Sequence, residues 1–147
     1  MKRFGFNKIE LIAALIIIVV LSIIIIPRLS AIINSANETA AKQNLNALRS
    51  AIALYYSDNG GSYPSADIVA EISGENKYIS IIPYIHISQH KKRNQIMIME
   101  GLADKDLDSG GWAYKLDDAA DNTGRRKGDL WVNCSHENLR GEIWSSL

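Results

Sequence analysis

One uninterrupted apolar stretch constrains the fold of this chain more than any other feature. Leu11 to Ile26 carry no charge and a single hydroxyl group, that of Ser22. With Ile9 and Glu10 included, the stretch would extend roughly 27 Å as a helix, about the thickness of a bilayer core. It is rich in Ile and Val, and a soluble protein of 147 residues could hardly bury such a helix on all sides. The stretch therefore predicts a helix that contacts lipid, other protein subunits or both.

The charges around this stretch predict its orientation. Three cations precede it: Lys2, Arg3 and Lys8. Because cations favour the cytoplasmic side, the N-terminus is expected to stay there, with everything after Pro27 translocated despite Arg28. A cleaved secretory signal and a plain single-pass anchor are the competing interpretations. The signal is disfavoured because its apolar segment usually has about 7 to 15 residues and Glu10 lies within the leading end of this one.

Helical periodicity continues beyond the apolar stretch. From Leu29 to Tyr55 apolar residues recur mostly at steps of three and four, which predicts an amphipathic helix over 28–57 that ends at the turn residues "SDNGG". Pro27 removes one backbone donor and is expected to kink or loosen the helix. We therefore divide the chain into a segment 1–5, a transmembrane and assembly helix 6–27, the amphipathic helix 28–57, and a small β-rich domain 58–147.

The C-terminal part contains short strand patterns. A short helix is expected near 66–73, an edge strand or extended loop over "YISIIPYIHIS", and a short strand at "NQIMIME". "GGWAYKL" and "GDLWVNC" predict an antiparallel hairpin, with Trp131 on the face away from the helix. One face is expected to pack on Leu45, Leu48 and Ile52 and comprises Trp112, Tyr114, Leu116, Leu130 and Val132. The fold class is α+β: a long N-terminal helix with a small antiparallel sheet packed on its C-terminal half.

Composition and local motifs limit the function classes. Sixteen Lys and Arg balance 16 Asp and Glu, so no nucleic-acid surface is expected. The single cysteine, Cys134, excludes an internal disulfide and any pattern of cysteine metal ligands. His86 and His90 are four residues apart, but in a β-like segment they do not predict a shared helical face. Since no nucleophile motif such as G-x-S-x-G occurs, we expect no enzymatic activity.

Alternating carboxylates form the one pattern suited to a metal ion. Asp104, Asp106 and Asp108 have the spacing with which a calcium loop gathers oxygen ligands. The sixth position is Ser109 rather than Gly, and the twelfth is Lys115 rather than Glu, so the full EF-hand pattern fails. A solvated acidic turn is the preferred interpretation, and a structural calcium site is the alternative.

The sequence "GFNKIEL", the apolar stretch after it and the proline that closes the stretch resemble the class III signal of type IV pilins and type II secretion pseudopilins. In that family a prepilin peptidase cuts after the glycine, here Gly5, and the new N-terminal residue, here Phe6, is N-methylated. The family's glutamate five residues after the cut corresponds to Glu10, and its proline corresponds to Pro27. The family usually has an aliphatic residue where Lys8 stands here.

The resemblance implies a structural subunit, without a cofactor, of a pilus or pseudopilus filament built from many copies. Implied partners are prepilin peptidase, an assembly platform in the bacterial inner membrane and, before assembly, membrane lipid. Many major pseudopilins bind structural calcium in C-terminal loops, so the resemblance supports the calcium alternative for Asp104, Asp106 and Asp108. In physical terms, the amine created on Phe6 could neutralise Glu10 of a neighbouring subunit at low dielectric. The alternative function is an unpolymerised, membrane-tethered periplasmic binding module.

Overall fold

The computed structural model describes residues 7–75, 77–101, 108–119 and 124–147, without the side chain of Pro27. The elements are helix α1 (Lys8–Asp58), helix α2 (Ile68–Ile72), strands β1 (Ile96–Met99), β2 (Trp112–Lys115) and β3 (Leu130–Val132), and a 3-10 helix (Trp144–Ser146). A long N-terminal helix with a small sheet confirms the α+β fold class. The chain divides into two compact units, an apolar unit that ends at Ser35 and a sheet unit, Ala36–Leu147.

The apolar unit is helical from Lys8 onward. Asn7 precedes the helix and its side-chain oxygen Oδ1 accepts a hydrogen bond from the Ile9 N–H at 3.3 Å, as an N-cap residue does. Ser22 lies inside the helix and donates its hydroxyl to the Ile18 carbonyl at 2.7 Å, so that its polar group is satisfied locally. The helix continues through Pro27 rather than ending there. Among the described residues α1 is long and apolar enough to cross a membrane, a test of length and composition that a signal sequence would also meet.

The sheet unit has its own hydrophobic core. Its part of α1 contributes a buried stripe at helical spacing, comprising Ala41, Leu45, Leu48, Ala51 and Ile52. The stripe packs against the predicted face of the hairpin, with Trp112, Tyr114, Leu130 and Val132 fully buried. The opposite face carries a smaller cluster of Met99, Ala113 and Trp131. The predicted assignment of Trp131 to the far face is therefore confirmed.

The sheet is mixed, and the prediction of an antiparallel sheet was wrong in this respect. Strands β2 and β3 pair antiparallel, with Trp112 opposite Val132, as the hairpin pattern predicts. Strand β1 pairs parallel with β2, with Ile96 opposite Trp112, in the order β1-β2-β3. Parallel neighbours need a connection of roughly a dozen residues, and residues 100–111 between these strands have that length.

Polar contacts fix the loops of the sheet unit to its core. The Trp112 indole N–H donates to the Pro83 carbonyl and the Tyr114 hydroxyl to the Pro64 carbonyl, each at 2.9 Å. Arg49 of α1 donates its Nε–H to the Leu130 carbonyl at 2.9 Å. The segment before β1 forms an isolated antiparallel bridge between Ile85 and Arg93. These bonds join the sheet to two loops and to α1.

Candidate functional site

The first candidate site is the surface of the apolar unit. Every described side chain of this unit is exposed except that of Ser22, which is partly exposed. Ile9 is 74% exposed and Ile26 67%, and the large apolar side chains between them are at least 52% exposed. Covering the apolar area that this leaves open would be worth on the order of 10–20 kcal/mol. A helix that is apolar all round is typical of a membrane span or of the interior of an assembly.

Glu10 lies in the first turn of α1 and is exposed. A position near a helix N-terminus is one that the helix dipole favours for an acidic residue. Once the apolar surface is covered by lipid or protein, an ionised carboxylate needs a partner of opposite charge. Gly5 and Phe6, the predicted cleavage and methylation residues, lie outside the described residues. Pairing of Glu10 with an amine on Phe6 stays a prediction.

Asp108 lies in a cluster that the sequence interpretation did not anticipate. Of the three predicted calcium ligands, Asp104 and Asp106 lie outside the described residues. Asp108 is joined by two histidines and the cysteine, and the ligand atoms of these four side chains all lie within 4.8 Å of one another. We refer to the four residues His90, Asp108, Cys134 and His136 as the His-Asp-Cys cluster. The sequence interpretation treated His90 as one of a pair with His86, which is exposed and lies outside this cluster.

Sheet topology brings the cluster together. Asp108 precedes β2, and Cys134 and His136 follow β3, so antiparallel pairing places the two segments side by side. His90 precedes β1. Because β1 pairs parallel with β2, the starts of both strands lie at the same end of the sheet. An antiparallel β1 would begin at the opposite end. The unpredicted parallel pair is thus what positions His90.

The contacts within the cluster are short. One oxygen of Asp108, Oδ1, lies 3.0 Å from His90 Nε2 and 3.2 Å from His136 Nδ1. The same Oδ1 accepts a hydrogen bond from the Ser135 N–H at 3.1 Å. Cys134 Sγ lies 3.5 Å from His136 Nδ1 and accepts the His136 backbone N–H at 3.4 Å. Nitrogen, oxygen and sulfur atoms of four side chains therefore converge on one point.

The two acidic groups of the cluster, the Asp108 carboxyl and the Cys134 thiol, have pKa values shifted in opposite directions. Burial alone would raise the pKa of Asp108, but the Ser135 N–H and the imidazoles of His136 and His90 hold it below its usual value. Burial raises the pKa of the Cys134 thiol to about 11, so the free thiol is protonated at neutral pH. The carboxylate is consequently charged and the thiol neutral when no cation is bound.

The same geometry argues against a cysteine nucleophile. In a catalytic triad the two imidazole nitrogens serve different partners, one the nucleophile and the other the acid. Here Cys134 Sγ and Asp108 Oδ1 both approach the same nitrogen, Nδ1 of His136. A buried thiol with a raised pKa is also a poor nucleophile. Cation binding is the chemistry that this arrangement suits best.

The chain was compared with protein-family models, with curated proteins and with solved structures, and it matches none of them. Two sites in the chain bear on its function. One is an uncovered apolar surface in the apolar unit, and the other is a compact polar cluster in the sheet unit.

Proposed function

We propose that this protein is a structural subunit of a filament of the type IV pilus or type II secretion pseudopilus kind. One observation carries the proposal: the apolar unit exposes its large apolar side chains, whereas the sheet unit has a closed core of its own. In a filament these apolar side chains would be buried, because the apolar helices of neighbouring subunits pack against one another. The resemblance of residues 5–27 to the processing signal of this family supports the same function.

Before assembly, the apolar unit spans the bacterial inner membrane. The cations before the apolar stretch keep the N-terminus in the cytoplasm, and the sheet unit faces the periplasm. Prepilin peptidase cuts after Gly5, Phe6 becomes the N-methylated first residue, and an inner-membrane platform moves the subunit from lipid into the filament. Lys8 extends its long side chain to the cytoplasmic face of the membrane until then.

Glu10 sets the register of assembly in this proposal. An unpaired carboxylate near the membrane edge costs about 2–3 kcal/mol. Cleavage creates an amine on Phe6, and a neighbouring subunit can bring its Glu10 to that amine where apolar surroundings strengthen the attraction. An incoming subunit is favoured at the position that pairs the charge. Lys8 is a second possible partner for Glu10 within the same segment.

The test separates processing from polymerisation. We expect Glu10→Gln, which removes only the charge, to be inserted and cleaved after Gly5 but to lower filament yield by at least about tenfold, since tenfold corresponds to 1.4 kcal/mol. Glu75→Gln alters an exposed glutamate of the sheet unit and serves as the matched control, with unchanged yield. Cleavage is read from the mass of the membrane-extracted subunit and yield from sheared filaments.

Normal filament yield from Glu10→Gln would refute the assembly role of the carboxylate. Absence of filaments from the wild-type protein, together with an uncut N-terminus, would instead favour the membrane-tethered binding module. Lys8→Ala sharpens the result: if Lys8 competes for Glu10, its removal raises filament yield.

A further inference from the structure

We propose that the His-Asp-Cys cluster is a zinc site of the sheet unit, with Zn²⁺ held by His90 Nε2, Asp108 Oδ1, Cys134 Sγ and His136 Nδ1. The site is independent of filament assembly, because all four residues belong to the sheet unit. The cation proposed at Asp108 is therefore zinc and not the calcium of the sequence-based alternative.

The spacing of the ligand atoms is close to that of a tetrahedral zinc site. With zinc bonds of roughly 2.0–2.3 Å, the ligand atoms of a tetrahedron lie roughly 3.3–3.8 Å apart. The three contacts that link the cluster measure 3.0, 3.2 and 3.5 Å, and no two ligand atoms are more than 4.8 Å apart. Shifts of about 1 Å in side-chain position would complete the tetrahedron.

The ligand types select zinc over calcium. Calcium takes six to eight oxygen ligands, whereas this cluster offers two imidazole nitrogens, one thiolate sulfur and one carboxylate. That mixture is the donor set of borderline cations, of which zinc accepts a tetrahedral site of nitrogen, sulfur and oxygen. When zinc binds, the Cys134 thiol releases its proton to solvent and the sulfur lone pair forms the bond to the metal. Thiolate and carboxylate together then balance the two positive charges of the ion.

Backbone groups around the cluster support the ligands in the way that outer groups do in metal sites. The His136 N–H donates to Cys134 Sγ and the Ser135 N–H to Asp108 Oδ1. Gly110 leaves room for His90: a Cβ on this residue would lie 2.3 Å from His90 Cβ, and its φ of +75° also favours glycine. The Gly110 N–H donates to the Asn133 carbonyl at 2.8 Å, which holds this glycine beside the segment after β3.

A zinc ion here would cross-link three segments of the sheet unit. The segments before β1, before β2 and after β3 each supply at least one ligand. With a single cysteine the chain cannot form an internal disulfide, so a metal ion is the available cross-link of comparable strength. Because zinc binds the folded sheet unit and not the separated segments, it raises the stability of that unit.

The full chain in detergent micelles, reduced and freed of metal by a chelator, is titrated with Co²⁺ and then with Zn²⁺. We expect one equivalent of Co²⁺ to give a thiolate-to-cobalt charge-transfer band in the near ultraviolet and the strong visible bands of tetrahedral cobalt. Zn²⁺ should abolish both sets of bands and raise the Tm of the sheet unit. The band should be missing in Cys134→Ser, because it requires the sulfur.

A second variant keeps the test valid if the buried Cys134→Ser protein unfolds. The His136 side chain is 42% exposed, so His136→Ala should fold, and we expect it to weaken zinc binding at least about tenfold. His86→Ala removes the one histidine of the chain that lies outside the cluster. This residue is exposed, and the variant should bind zinc as the wild type does.

Two metal-binding results would overturn the zinc site. One is a cobalt spectrum of the six-coordinate type without a charge-transfer band. The other is equal zinc affinity in His136→Ala and His86→Ala. A rise in Tm with Ca²⁺ but none with Zn²⁺ would likewise overturn it and would favour the calcium loop.

Discussion

The two parts of helix α1 have the same backbone conformation and opposite relations to solvent. Up to Ser35 the large apolar side chains are exposed, and from Leu11 to Ile26 apolar residues surround the helix on all sides. From Ala36 onward one stripe of apolar residues is buried beneath the sheet, with Leu45 and Leu48 among them. Local sequence therefore suffices to form the helix in both parts. Among the described residues, the buried apolar side chains of α1 all lie in the second part.

Paired leucine substitutions test this difference most strongly. Leu48 is 0% exposed and Leu21 is 52% exposed, and both lie in α1. We expect Leu48→Ala to lower the free energy of unfolding of the sheet unit by about 3–4 kcal/mol, because it leaves a cavity in a packed core. Leu21→Ala should change it by less than about 0.5 kcal/mol. Denaturant unfolding followed by tryptophan fluorescence reports on the sheet unit alone, since all three tryptophans lie there.

Equal losses from the two leucine variants would contradict the separation. They would mean that the apolar unit contributes to the stability of the sheet unit after all.

Glycine substitutions measure how tightly the sheet unit is packed. A Cβ on Gly128 would lie 2.2 Å from the Tyr63 ring, and the φ of +91° is strained for other residues. We expect Gly128→Ala to cost about 2–3 kcal/mol, from backbone strain of about 1–2 kcal/mol and displacement of the ring. Gly124 has a φ of +73° but no atom within 4 Å of such a Cβ, so Gly124→Ala should show the strain alone. A smaller loss for Gly128→Ala than for Gly124→Ala would contradict the contact with Tyr63.

The smallest expected effect concerns pH. Burial alone would raise the pKa of Glu71, but hydrogen bonds from Ser65 lower it below 4.5: the backbone N–H donates to Oε2 at 2.8 Å and the hydroxyl to Oε1 at 2.6 Å. Because the folded pKa is the lower one, these bonds stabilise the sheet unit fully above pH 4.5. That stabilisation is lost as the pH falls through the folded pKa.

We therefore expect Glu71→Gln to lower Tm at neutral pH and to flatten its decline below pH 4.5, so that variant and wild type converge in acid. Glu75→Gln should follow the wild type throughout. A constant Tm difference between Glu71→Gln and wild type at every pH would show that the ionised carboxylate is not responsible.

Periodicity was sufficient to predict the helix and the hairpin. Both depend on residues that are close in sequence. Steps of three and four residues place Leu45, Leu48 and Ile52 on one face of the helix, and alternation along the strands places Trp112 and Trp131 on opposite faces of the sheet. The direction of β1 is not a local property. An apolar strand pairs in either direction, and only the length of the connection from β1 to β2 favoured the parallel arrangement.

The His-Asp-Cys cluster could not be predicted for the same reason. His90 lies far along the chain from Cys134 and His136, and it reaches them only because β1 runs parallel to β2. The nearest sequence signal was the Cys-x-His spacing of Cys134 and His136, which gives two ligands but no third. The calcium pattern includes Asp108, which lies in the cluster, and calcium binding there stays a prediction.

The mass of the mature N-terminus tests the central proposal, assembly through a processed apolar helix, most directly. The subunit extracted from the membrane of its native cells is digested and its N-terminal peptide weighed. We predict loss of Met1–Gly5 and a gain of about 14 Da on Phe6, the mass of one methyl group replacing hydrogen. An intact, unmethylated N-terminus that still begins at Met1 would contradict the proposal and leave a membrane-tethered protein in its place.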